Sequence, residues 1–213
     1  MTISLDGKTI CSTIKMEKIE SPLHIVSAQI SELGLTLAQR CTDDKSNEIP
    51  AVQELLKELK IRDQIVVADA LNCQKEMAEI IVRQKADYLL CVKDNHPNLK
   101  NNIEDFVQDI SLQSTMQTIT KTEKSHGRIK KRTAYVMTEI SWLEQKKDWK
   151  NLKCIGEIHT EITTKKALQA SGITTSPVKS LRWKNCFIMQ GWSGVSNRCI
   201  GCSMFILKRT DAR

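Results

Sequence analysis

A chain of 213 residues, 40% hydrophobic and 27% charged, has the composition of one globular domain with a sizeable core. No apolar run approaches the ~20 residues a membrane helix needs, and the first residues lack the basic and apolar regions of a secretory signal. A cytoplasmic protein is therefore expected, with its eight cysteines as reduced thiols and not a disulfide framework. The net charge of +7 belongs to the tail: nine basic residues follow Glu161, against Asp211 alone on the acidic side. That asymmetry says little about a DNA-binding face on the main body and marks a boundary near residue 162.

In chain order, Ile3–Lys8 reads as a short strand that stops at a carboxylate and a glycine, Asp6-Gly7, and Thr9 to Ser21 reads as loop. Leu23–Ile30 and Leu35–Arg40 are strand-like runs joined by Ser31-Glu32-Leu33-Gly34, a hairpin turn, so the first three strands form an antiparallel meander. Thr42–Asn47 is a polar loop. Pro50 opens a helix with Val52, Leu55, Leu56 and Leu59 at three- and four-residue spacing. Next comes Ile65–Ala68, an apolar run without polar alternation, which is the pattern of a central strand in a mostly parallel sheet. A helix with Met77, Ile80, Ile81 and Gln84 on one face, a buried strand Tyr88–Val92 and a helix opened by Pro97 follow; the last carries Leu99, Ile103, Phe106, Val107 and Ile110. Residues 111–124 are polar and ambiguous. Ile129–Thr138 and Lys153–Ile162 read as strands, with Trp142, Leu143 and Trp149 packing on a turn between them.

A meander followed by βαβ is a ribonuclease H-like arrangement: a mixed α/β sheet with helices on both faces, here over residues 1–164. The Ile65–Ala68 strand ends on Asp69, and ligands of parallel sheets collect at such strand ends. A carboxylate there is either a helix cap or a metal or catalytic group. In the ribonuclease H-like topology Asp6 and Asp69 face each other. Paired carboxylates repel unless a cation or a proton sits between them, and oxygen donors select hard ions such as Mg²⁺ or Mn²⁺. Two such ions support in-line phosphoryl displacement, and a third carboxylate normally completes their coordination.

Several blocks carry a family resemblance: Leu5-Asp6-Gly7-Lys8-Thr9, His24-Ile25-Val26-Ser27-Ala28, Lys45-Ser46-Asn47-Glu48-Ile49-Pro50, Val67-Ala68-Asp69-Ala70, Cys73-Gln74-Lys75-Glu76, Asp87-Tyr88-Leu89-Leu90, Lys93-Asp94-Asn95-His96-Pro97 and His126-Gly127-Arg128-Ile129. In this order they resemble a bacterial insertion-sequence DDE (Asp-Asp-Glu) transposase of the group that includes the H-repeat-associated proteins. The resemblance covers roughly residues 3 to 164. It implies a Mg²⁺- or Mn²⁺-dependent enzyme that cuts and joins transposon DNA, with Asp6 and Asp69 as its first two catalytic, metal-holding acids. It implies DNA as partner, at transposon ends and target, with self-assembly or pairing with intact transposase, and a full-length relative with an N-terminal DNA-binding segment that this chain lacks. Lys8, Lys93, His126 and Arg128 fit phosphate contacts, ordinary surface charge being the alternative. Asn47 and Glu48 read as caps of the following helix, and Asn95 as a cap or turn residue. Asp94 stands where the resemblance leads one to expect glycine, so that turn is expected to be strained or altered.

The third acid of the pattern is missing, since no Glu follows Glu161. Codons permitted for Ser171–Ser176 and Asn197–Thr210, read in one shifted frame, can spell a tyrosine-rich strand and then a family-like Ser-Leu-His-Trp-Val-Leu-Asp-Val, with a Glu permitted just ahead. Residues 165–213 are therefore read as an out-of-frame, poorly ordered tail, and this copy as an inactive remnant. The rival reading is a non-catalytic fragment that binds DNA or intact transposase and interferes with it. Cys199-Ile200-Gly201-Cys202 has the spacing of half a zinc site but lacks the other half, so zinc is not expected.

Overall fold

The computed structural model describes residues 1–10, 22–42, 48–109, 115–125, 128–164 and 203–207. The first three strands are β1 (Thr2–Ile10), β2 (Leu23–Ile30) and β3 (Leu35–Thr42). They pair as an antiparallel meander. Gly34, at φ +62°, closes the turn between β2 and β3 in the left-handed region that glycine enters at little cost. Then come α1 (Glu48–Glu58), β4 (Ile65–Ala68), α2 (Lys75–Arg83), β5 (Asp87–Val92) and α3 (Pro97–Gln108). β4 pairs in parallel with both β1 and β5. The chain continues as β6 (Gln117–Ser125), β7 (Arg128–Met137), a 3₁₀ turn (Glu144–Asp148), β8 (Cys154–Thr164) and β9 (Ser203–Leu207). One nine-stranded sheet results, in the order β3-β2-β1-β4-β5-β9-β8-β7-β6.

Helix α1 begins two residues ahead of Pro50, which sits within its first turn. Its apolar spacing buries Val52, Leu55 and Leu56. Helix α2 stops on a Schellman motif: Lys85 takes φ +62°, and the Ala86 and Lys85 amides donate to the Ile81 and Val82 carbonyls. Among the described residues α1, α2 and α3 bury their apolar positions in one cluster with Ile3, Leu5, Val66, Ala68, Tyr88 and Leu90. The helices therefore share one face of the sheet, not two as expected from the sequence. The reason lies in the strand order. The crossovers into β4 and into β5 advance in the same direction along the sheet, and crossovers of one hand then leave their helices on the same side.

The opposite face carries a smaller cluster of Leu89, Cys91 and Cys154 with Ile65, Val67, Val136 and Ile158. Trp142 and Trp149 do pack where the turn reading put them. Trp142 stacks on Phe106 with ring centres 4.4 Å apart, and the buried Trp149 meets His96 edge-on at 5.2 Å. β6 was not legible as a strand. Its residues Thr118, Thr120, Thr122 and Lys124 are exposed, so no apolar alternation announces it. β3 forms one margin of the sheet, and Leu35 and Leu37 on it are exposed. Of the tail, only β9 lies within the described residues; it pairs antiparallel with β5 and β8.

Leu55 is 1% exposed at the centre of the α1 interface. Leu55→Ala is expected to cost about 2–5 kcal/mol of unfolding free energy, checked by urea denaturation against the parent chain.

Candidate metal centre and its supporting network

β1 and β4 are direct parallel neighbours, in the register Thr2↔Ile65, Ile3↔Val66, Ser4↔Val67. Continued for two residues, that register sets Asp6 beside Asp69, on strands about 4.8 Å apart. Alternation fixes the face. Ile3 and Leu5 pack into the helix-side core, so Asp6 emerges on the other side of β1; Val66 and Ala68 do the same for β4, so that side is also Asp69's as β4 ends. Both aspartates are exposed. Among the described residues no hydrogen bond or ion pair engages the Asp6 carboxylate. Asp69 Oδ1 accepts from the Asn72 amide and from Asn72 Nδ2, each at 3.2 Å. Asp69 thus caps its own turn, and this use of Oδ1 leaves room for the metal reading at Oδ2.

The donor set suits a hard ion. Mg²⁺ is commonly held by one or two carboxylates, the rest of its shell being water and substrate phosphate. Among the described residues no group of three or more His, Cys, Asp or Glu side chains gathers around a common point. The pair therefore fits a hydrated divalent ion and not a closed protein cage. The nearby Cys73 is fully buried, and that burial pushes its thiol well above the ordinary range, so it supplies no thiolate.

The sequence reading missed a buried carboxylate beside this pair. Glu48, expected as a cap, is 3% exposed, and each of its oxygens meets a buried side chain. Its Oε2 meets His24 Nε2 at 2.9 Å and its Oε1 accepts from Asn72 Nδ2 at 2.8 Å. His24, 2% exposed, meets the Thr9 hydroxyl at 2.9 Å through Nδ1. Gly7 makes the space: a Cβ there would overlap the Glu48 carboxylate. The available signal was a glycine after the first aspartate together with a histidine one strand away, a pattern that only the fold joins.

Asn72, 1% exposed, links this group to Asp69, because its Nδ2 donates to both carboxylates. Two acceptors on one side dictate the amide orientation. They leave Asn72 Oδ1 buried without a hydrogen-bond partner among the described residues, a burden of about 1–3 kcal/mol.

The segment after β5 clamps the loop that follows Asp69. Asn95 Nδ2 donates to the Ala70 carbonyl at 2.7 Å, its Oδ1 accepts from the Lys93 amide at 3.1 Å, and His96 Nε2 donates to the Cys73 carbonyl at 2.8 Å. Asn95 is thus a turn residue that also staples a neighbouring loop. The strained turn expected at Asp94 is absent, because Asp94 does not fall in the left-handed region. Its carboxylate accepts from Lys100 at 2.9 Å, and that hydrogen bond holds its carboxyl below the usual range.

Lys8 and Lys93 are exposed, Lys8 on the strand of Asp6 and Lys93 just past the end of β5, on the carboxyl-end side of the sheet that holds both aspartates. Arg128 is not brought to them. β7 starts there opposite Thr164, whereas Val92 is level with Glu157 through β9, which sets Arg128 roughly 20 Å past the end of β5 at about 3.3 Å per residue. His126, Asn47 and the Cys199 and Cys202 pair lie outside the described residues.

Fold and site define a mixed α/β domain in which Asp69, just past the end of β4, lies beside Asp6; β1 does not stop at Asp6-Gly7 as the sequence suggests but runs on to Ile10, because it stays paired with β2, so Asp6 is mid-strand. The chain belongs to the DDE transposase family: residues 23–184 match the family described as "Transposase DDE domain". That span includes Asp69 and Glu48, starts after Asp6, and runs on past residue 165. A Xanthobacter autotrophicus protein named "Uncharacterized protein in dhlA 3'region" is 35% identical over 72% of this chain and 52% of its own length. The Escherichia coli O157:H7 protein "Putative transposase YncI" is 36% identical over 71% of this chain and 39% of its own. For "H repeat-associated putative transposase YhhI" of Escherichia coli K12 the figures are 34%, 71% and 40%. The chain thus spans about half or less of the length of these relatives.

Gly7→Ala forces Glu48 off the strand and is expected to cost about 1–3 kcal/mol. Thermal and urea unfolding check it; an unchanged midpoint would show that the Glu48 carboxylate does not depend on that gap.

Proposed function

We propose that this chain is the catalytic core of a DDE transposase, a remnant of an enzyme that cuts and joins DNA by metal-dependent phosphoryl transfer, with Asp6 and Asp69 as the two acids that hold Mg²⁺ or Mn²⁺. The observation that carries the reading is the parallel β1–β4 register, which brings two acids distant in sequence to one sheet margin. The strand order β3-β2-β1-β4-β5, an antiparallel meander continued by parallel strands, supports a ribonuclease H-like core. The divalent ions supply Lewis acidity at the attacking and leaving oxygens of an in-line displacement. Asp6 and Asp69 would hold them from adjacent strands, while Lys8 and Lys93 draw the phosphate backbone to that margin. Arg128, at the start of β7, belongs in this reading to a more distant backbone contact, and His126 keeps the phosphate-contact role expected of it from the sequence.

In this reading the catalytic core spans residues 1–164 and the basic segment 165–213 is translated out of frame. The single carboxylate after Glu161 supports this, and an inactive copy follows from it. The same feature favours, as second reading, a fragment that binds DNA or pairs with intact transposase and interferes with it. No described helix is long and apolar enough to cross a membrane.

Titration with Mn²⁺ tests the site. Binding is expected in the parent chain and lost in Asp6→Asn and in Asp69→Asn, with little change in melting temperature. Equal binding by all three chains would sink the assignment. A Mg²⁺-dependent nickase assay on a frame-restored chain, beside the present one, separates enzyme from interfering fragment; only the restored chain is expected to cut.

A further inference from the structure

A buried polar chain runs from Thr9 through His24, Glu48 and Asn72, and ends on Asp69. We infer that Glu48 is a positioning residue, which fixes the Asn72 carboxamide and through it the Asp69 carboxylate in the orientation that grips a divalent ion. The inference rests on the proposed metal role of Asp69.

Glu48 is poorly placed to be a ligand itself. Both of its oxygens are engaged, by His24 and Asn72, and it lies over Gly7 on the helix face of β1, whereas Asp6 emerges on the other face. Its effect passes through Asn72. The Asn72 amide nitrogen has two hydrogens and serves two carboxylates with them, Glu48 at 2.8 Å and Asp69 at 3.2 Å. Among the described residues the amide oxygen has no hydrogen-bond partner, so no hydrogen bond on that side holds the side chain. The orientation is therefore set from the nitrogen side, and the shorter bond, to a buried carboxylate, is the firmer anchor. With that acceptor gone, Asn72 is free to rotate and seek a partner for its oxygen, and Asp69 then loses one of its two donors. A simple helix cap would need neither a glycine cut-out in β1 nor a histidine buried against it. Groups that orient metal ligands from behind typically change metal affinity by about 10–100-fold when removed.

The test is Mn²⁺ titration of the full chain by calorimetry, with the melting temperature of every variant measured in parallel. Asn72→Ala and Glu48→Ala are each expected to weaken Mn²⁺ binding by about 10–100-fold. The double variant should be no weaker than Asn72→Ala alone, because both act through one link. Glu48→Gln keeps an acceptor toward Asn72 and should bind close to the parent. Leu55→Ala, in the same helix, should melt lower and still bind as the parent does, which separates positioning from stability. Should Glu48→Ala not fold, Asn72→Ala and Glu48→Gln carry the test. Asp69-dependent binding that Asn72→Ala leaves unchanged would overturn the inference while the metal reading stands; so would a loss in Glu48→Gln as large as in Glu48→Ala. A parent chain without Asp69-dependent binding removes both.

Discussion

The parallel pairing of β1 with β4 is the constraint on which the rest of this molecule depends. These strands are separated by the whole β2–β3 hairpin and α1, so nothing local holds them together. Their register is specified by burial. Ile3 and Leu5 must share a face with Val66 and Ala68, and a slip of one residue would turn one strand's pair away from the helices. The same requirement fixes where Asp6 and Asp69 emerge. Core packing and the geometry of the acidic pair are thus one specification.

A second layer of organisation lies behind the pair. Glu48 belongs to α1, His24 to β2, Gly7 and Thr9 to β1, and Asn72 to the loop after β4. A carboxylate this deeply buried is costly unless paired and fully hydrogen-bonded, and here both of its oxygens are satisfied. The loop carrying Asn72 is held from its other side by Asn95 and His96. Residues from five elements converge behind one exposed carboxylate, an arrangement that stability alone does not require, as the orphaned Asn72 oxygen indicates.

Much of the meander and βαβ was legible in the sequence, because those elements announce themselves by periodicity. Leu23–Ile30 was bounded to the residue, and Tyr88–Val92 fell one short of the strand that starts at Asp87. β6 was not legible, since a strand with polar residues on both faces has no period to detect. The placement of the helices on one face was missed because it depends on strand order, which a periodicity cannot encode. At the site, Asp69 was visible as a carboxylate closing an apolar run. Glu48 was not, because at a helix start a buried acid and an exposed cap look alike, and only contact with His24 and Asn72 tells them apart.

The two margins of the sheet differ in chemistry. β6 ends the sheet on one side with Lys121 and Lys124, charges that discourage another strand from docking. β3 ends it on the other, among the described residues, with Leu35 and Leu37 exposed. Of these two described margins, the one with exposed leucines is therefore the more adhesive in concentrated solution.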